Sequence, residues 1–116
     1  MVKRPSLRMT NEELEEFLRS KRIGLVSGHQ SDGVLTSRRV LYSSDGPCLV
    51  LDVQPAERCF DLCNSPELCF VVDEYPAYEA IKSVIVHGPG TWLADGPARI
   101  RMEMHRIVSF DFRKQR

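Results

Sequence analysis

Nowhere does this chain hold the ~20 consecutive apolar residues that a membrane-crossing helix needs, so no membrane span is expected. It has no surplus of either charge: 16 Lys and Arg offset 16 Asp and Glu, a net charge of +0. That balance removes the broad electrostatic footprint by which proteins hold nucleic acid or an anionic membrane, and neither partner is expected. The basic opening, with Lys3, Arg4 and Arg8, leads into no apolar core with a small-residue cleavage site, so it does not read as a signal peptide. Cysteine is scarce. Cys48, Cys59, Cys63 and Cys69 lie mostly among apolar residues, the pattern of buried free thiols in a reducing, cytoplasmic setting. Cys59 and Cys63 could share a metal across one helical turn, but no second Cys or His pair at zinc-site spacing accompanies them, and no metal site is expected. No Ser/His/Asp or Cys/His arrangement is visible either, so no catalytic residue can be nominated. Of the histidines, only His87, next to a glycine-rich break, is worth watching.

What the chain does have is one domain's worth of short apolar runs separated by turn residues. Its 116 residues, 42% of them hydrophobic, suffice for one core, with residues 1–9 expected as a flexible arm. Thr10-Asn11-Glu12-Glu13 is a capping box, and Leu14, Phe17 and Leu18 follow at helical spacing, so a first helix is expected to end near Lys21. Strands are expected at Ile23–Gly28, Val34–Ser43, Cys48–Val53 and Leu68–Asp73, with Asp-Gly turn chemistry at Asp32-Gly33 and Asp45-Gly46. A short second helix starts near Pro55 and stops at Asn64-Ser65-Pro66. The fifth strand, Ser83–His87, is interrupted by Gly88-Pro89-Gly90 and resumes at Thr91-Trp92-Leu93; such glycines mark a bulge or a close backbone approach. The sixth, Ile100 to Phe112, alternates, with Ile100, Met102, Met104, Val108, Phe110 and Phe112 on one face and Arg101, Glu103, His105, Ser109 and Asp111 on the other. Arg106 breaks the apolar face, so a bend or an oligomer contact is expected there. Six strands on tight turns with two short helices predict a mainly β fold, a small antiparallel barrel.

The most informative stretch begins at Ser37-Arg38-Arg39-Val40-Leu41-Tyr42. An apolar strand carrying two arginines returns through Cys48-Leu49-Val50-Leu51 into a helix whose first turn holds Arg58. Strand arginine and helix-start cation together form an anion pocket, since guanidinium pairs and free helix amides both suit a phosphate. Surface charge that keeps an edge strand from pairing is the plain alternative for Arg38 and Arg39.

In the order and spacing of these residues, with Asn64-Ser65-Pro66, the Val84-x-Val86-x-Gly88 strand and the closing Phe110-Asp111-Phe112, the chain resembles the pyridoxamine-phosphate-oxidase-like superfamily, over about residues 10 to 113. The resemblance implies a six-stranded split β-barrel, a homodimer with FMN in clefts between subunits, and a redox reaction on a small-molecule substrate. It assigns the phosphate to Arg38 and Arg58, with Arg39 as the alternative if the register shifts by one. It sets Ser37 and the backbone of Arg39, Val40 and Leu41 against the flavin. Asp52 stands where many relatives carry a small hydroxyl residue near the phosphate, and the Leu93–Arg99 connection is short. These departures leave a deazaflavin, haem or no cofactor as alternatives. The substrate-binding C-terminal segment of the true pyridoxamine phosphate oxidases is missing, so that activity is not expected.

Overall fold

The computed structural model describes residues 6–29, 32–53, 67–75, 80–93 and 99–115. The expected second helix, with Arg58, Cys59 and Cys63, lies outside them.

Helix α1 spans Asn11–Ser20. Its capping box closes in both directions: the Thr10 backbone N–H donates to Glu13 Oε1 at 2.7 Å, and the Glu13 N–H donates to Thr10 Oγ1 at 3.2 Å. Phe17 and Leu18 are its buried residues, and burial of each contributes about 2 kcal/mol. The Tyr42 hydroxyl donates to the Leu18 carbonyl at 2.6 Å, tying the helix to the sheet beneath it. Burial pushes the Tyr42 hydroxyl up to about 12, so it stays a donor.

The strands are β1 (Ile23–His29), β2 (Leu35–Asp45), β3 (Cys48–Asp52), β4 (Leu68–Glu74), β5 (Lys82–Gly88), β6 (Gly90–Trp92), β7 (Arg99–Glu103) and β8 (Arg106–Asp111), followed by a 3-10 turn at Phe112–Gln115. They form one curled antiparallel sheet in the order β6-β7-β3-β2-β1-β4-β5-β8. Gly33 and Gly46 take positive φ, +86° and +59°, as the two Asp-Gly turns require.

Six runs were expected and eight strands are present among the described residues, because the last two runs are each broken once. They form a long hairpin whose halves serve opposite ends of the sheet: β5 pairs with β4 and β8, while β6 and β7 extend it beyond β3. At the break the backbones nearly touch. A Cβ on Gly88 would lie 1.7 Å from the Glu103 carbonyl oxygen, so only glycine allows the bend.

The same bend corrects the expected alternation of the last run. His87 pairs with Arg106 and Gly90 with Met102, so three steps on one strand face four on the other. The extra residue is a bulge, and it reverses which side chains face inward. Ile100 and Met102 enter the core from β7, but on β8 the pairing with Val86, Val84 and Lys82 puts Ile107, still 38% exposed, Ser109 and Asp111 on the core side. Val108, expected inside, is 47% exposed.

Inside the curl, Val26, Leu49, Leu51, Leu68, Phe70, Val84, Val86, Ile100 and Met102 are fully buried. Gly24 makes room for Phe70, since a Cβ there would lie 2.2 Å from the ring, and Phe70 meets Tyr42 edge-on at 5.0 Å. The amino-terminal arm is docked from Leu7 onward: the Asp111 N–H donates to the Leu7 carbonyl at 2.8 Å, and Met9 is buried. No helix among the described residues is long and apolar enough to cross a membrane.

Candidate ligand-binding face

Alternation along β1, β2 and β4 sorts their side chains onto two surfaces. Val26, Val40, Tyr42, Phe70 and Val72 face the core; Ile23, Leu25, Ser37, Arg39, Leu41 and Val71 face out. The outward set is unusually apolar. Leu25 is 39% exposed, Ile23 49% and Leu41 52%. The strand register aligns Arg39, Leu25, Val71, Ile85 and Val108 into one straight row across β2, β1, β4, β5 and β8. Beside it runs a polar row, Ser37, Ser27, Cys69, His87 and Arg106, in which the Ser27 and Ser37 hydroxyls are 2.8 Å apart.

A groove of about 440 Å³ lies on this face, with Ile23, Leu25 and Val71 as its floor and Lys21, Arg22 and Arg39 on its rim. Lys21 is offset by Glu74, whereas Asp73, which also lines the groove and accepts from the Tyr75 hydroxyl at 2.8 Å, keeps its negative charge. Arg22 and Arg39 form no ion pair with any other described residue. The rim thus carries two arginines and one carboxylate over an apolar floor, a small net positive charge that suits a flat, partly apolar molecule with an anionic end.

The register also separates the two candidate arginines. Ser37, Arg39 and Leu41 share the outer face with Asp52, which lies directly across from Leu41. Arg38, across from Val26, and Val40 belong to the opposite face. On its other side Asp52 is paired in register with Arg99 of β7. β3 pairs with β2 only from Leu41 to Asp45, so among the described residues no strand covers the other edge of Leu35–Val40.

Cys69 sits between Ser27 and His87, but burial first, and the Glu67 carboxylate second, push its thiol up, so it is no ready nucleophile. No cluster of three or more potential metal ligands occurs among the described residues. Sequence reasoning missed a charged assembly under α1, where a cavity of about 330 Å³ has Phe17, Glu13, Glu74, Lys82, Asp111 and Arg113 in its walls. Asp111 is only 5% exposed and accepts from the Arg113 N–H at 3.0 Å, with Lys82 at 4.0 Å. Glu13 accepts from Lys114 Nζ at 2.5 Å, and that bond, with the Thr10 amide, holds its carboxyl down at about 2. Glu13–Lys114 fastens α1 to the turn that follows β8, and Asp111 ties that turn's Arg113 and the β5 residue Lys82 together. These pairs follow from the β8 inversion, which the strand's alternation alone concealed.

No protein-family model and no curated protein matches this sequence. Solved structures do. Conserved hypothetical protein Rv2991 from Mycobacterium tuberculosis has 17% identity, with 97% of this chain and 92% of that one covered, at a TM-score of 0.79. An FAD-binding protein from Mesorhizobium loti has 15% identity over 89% and 93%, at 0.75. A candidate pyridoxamine 5'-phosphate oxidase from Corynebacterium glutamicum has 17% identity over 90% and 95%, at 0.73. The chain therefore has the split-barrel fold of the pyridoxamine-phosphate-oxidase-like and flavin-binding proteins, as its sequence led us to expect.

Proposed function

We propose that the chain is a flavin-nucleotide-binding redox protein of the pyridoxamine-phosphate-oxidase-like class that works as a homodimer. The observation that carries this reading is the apolar groove floor of exposed Ile23 and Leu25 and half-buried Val71, with Arg39 at its margin and exposed Leu41 beside it. The donor set fits a flavin: apolar side chains for the ring, an open β2 edge for its polar atoms, and a guanidinium for the phosphate. FMN is the smallest nucleotide that satisfies this arrangement. The described ligand of the Mesorhizobium loti neighbour, FAD, shares its ring and ribityl chain.

A bound flavin supplies electron transfer, and the protein's part is to bind, orient and shield it. Arg39 holds the phosphate, because it lines the groove beside Ile23, Leu25 and Val71; Arg58, expected as the second cation, lies outside the described residues. Ser37 and the open edge of Arg39–Val40 offer hydrogen bonds. A second copy of the chain covers the row Leu25, Val71, Ile85 and Val108, removing from water apolar area that a lone subunit leaves exposed.

The test is a titration of the purified protein with FMN and with FAD, followed by flavin absorption and fluorescence. Quenching that saturates at one flavin per chain is expected. Arg39→Ala should weaken it about tenfold while Arg38→Ala changes it little, in keeping with the loss of one charged contact. No quenching with either flavin would refute the flavin reading, and the reverse order of the two variants would move the site to the other face of β2.

A further inference from the structure

A second cleft, of about 510 Å³, opens where the end of α1 meets β2. Leu18, Leu41 and the Tyr42 ring give it apolar walls, and Ser43 and Ser44 line it as well. Every charged group that lines it is a cation: Arg19, Lys21 and Arg22. Lys21 is offset by Glu74, whereas Arg19 and Arg22 form no ion pair with any other described residue. The negative end of α1, which would repel an anion, is blunted here. The Leu18 carbonyl already accepts from the Tyr42 hydroxyl at 2.6 Å, and the Phe17 carbonyl from the Ser20 hydroxyl at 2.8 Å. Two uncommitted guanidiniums thus border an apolar cleft that no carboxylate of the described residues lines. Lys21 and Arg22 also line the groove floored by Ile23 and Leu25, so the two cavities adjoin.

We propose that this cleft seats the redox substrate, and that the substrate is a small carboxylate with an apolar body; its link to redox chemistry rests on the flavin reading above. The cleft selects on both counts. A carboxylate gains charge-assisted, bidentate hydrogen bonds from a guanidinium that has no ion pair to give up first. An apolar body gains by covering Leu41, which is 52% exposed. A cation is repelled by Arg19 and Arg22, and a neutral molecule leaves both guanidiniums to water. The volume falls within the range of small-molecule sites. Because Arg22 borders both cavities, a molecule seated here lies beside the flavin groove, where a partner in electron exchange has to be.

The experiment is an amide, methyl and arginine NMR titration of the full chain with benzoate, benzamide and benzylamine, which share a ring and differ in charge. Benzoate should shift Arg19, Arg22, Leu41 and Ser43. It should bind about tenfold more tightly than benzamide, with benzylamine weaker still. Arg19 lines this cleft and not the flavin groove, so Arg19→Gln, checked for folding by circular dichroism, isolates the seat. The variant should bind benzoate about tenfold more weakly, the loss of one charged contact, and FMN within about twofold of the parent. Benzoate should still bind when FMN saturates the protein. Equal binding of the three compounds, or an Arg19→Gln variant that binds benzoate as the parent does, would overturn the carboxylate seat. Loss of FMN affinity in that variant, or displacement of benzoate by FMN, would overturn the substrate assignment and give the cleft to the flavin phosphate. If no flavin binds while benzoate behaves as expected, the flavin reading and the redox link fall and the carboxylate seat stands.

Discussion

Consecutive residues of β1, β2 and β4 lead opposite lives. On the inner face, Val26, Val40, Phe70 and Val72 are almost wholly buried, and each is surrounded by partners from the far side of the curl. On the outer face, Leu25, Leu41 and Val71 are nearly as apolar, yet Leu25 and Leu41 are exposed and Val71 is only half-buried. A strand needs only one apolar face to fold onto a core. The second apolar face is thus not required by this subunit's own folding, and it coincides with the cationic rim of Lys21, Arg22 and Arg39. Stability resides on one side of these strands, and function is assigned to the other.

That contrast can be broken at either side. The largest effect should come from the inside: Phe70→Ala leaves the Gly24 notch and the Tyr42 edge unfilled, and urea unfolding should show a loss of about 4 kcal/mol. Gly88→Ala should come next, at about 3 kcal/mol or more by the same assay, because its Cβ would collide with backbone rather than with a flexible side chain. On the outside the expectation reverses. Leu25→Lys combined with Val71→Asp, which places opposite charges across from each other, should change subunit stability by less than about 1 kcal/mol. The pair should nevertheless abolish the dimer in light scattering and flavin binding in titration. If the outer pair unfolded the protein as Phe70→Ala does, the two faces would not differ as described.

The smallest effect lies away from both faces. Glu13 has its carboxyl lowered from 4.5 to about 2 by Lys114 and the Thr10 amide, and Lys21 lowers Glu74 in the same direction. A carboxyl depressed on folding contributes stability that is complete above its unfolded value and is lost as pH falls through its folded one. The fastening of α1 should therefore weaken between about pH 4.5 and pH 2. Glu13→Gln should flatten that part of the acid-unfolding curve and leave the curve above pH 5 with the parent's shape.

Much of the fold could be read from local sequence. The Thr10–Glu13 box, the Asp-Gly turns and the apolar runs each specify their structure within a few residues, and all of them appear. The glycine break at 88–90 was visible, but its consequence was not. Whether Gly88 ends a strand or kinks one depends on the Glu103 backbone that crosses it, and the reversal of β8 depends on counting steps across a pair. The candidate face was legible in part for the same reason. Ser37, Arg39, Leu41 and Asp52 could be picked out as residues, but only the pairing of Leu41 with Asp52 shows that they share a face and that Arg38 does not. The exposed outer row was hidden altogether, because in sequence a strand that is apolar on both sides looks the same as one buried on both.

The central claim is that the ligand lies on the outer face. Its most direct test is an amide and methyl NMR titration of the isotope-labelled protein with FAD, followed by FMN. Shifts should concentrate at Leu25, Arg39, Leu41, Val71 and Ile85, with the core methyls of Val26, Leu49 and Val84 nearly still. Shifts centred instead on Phe17, Glu74 and Lys82, around the cavity under α1, would contradict the account and place the ligand at the other end of the molecule.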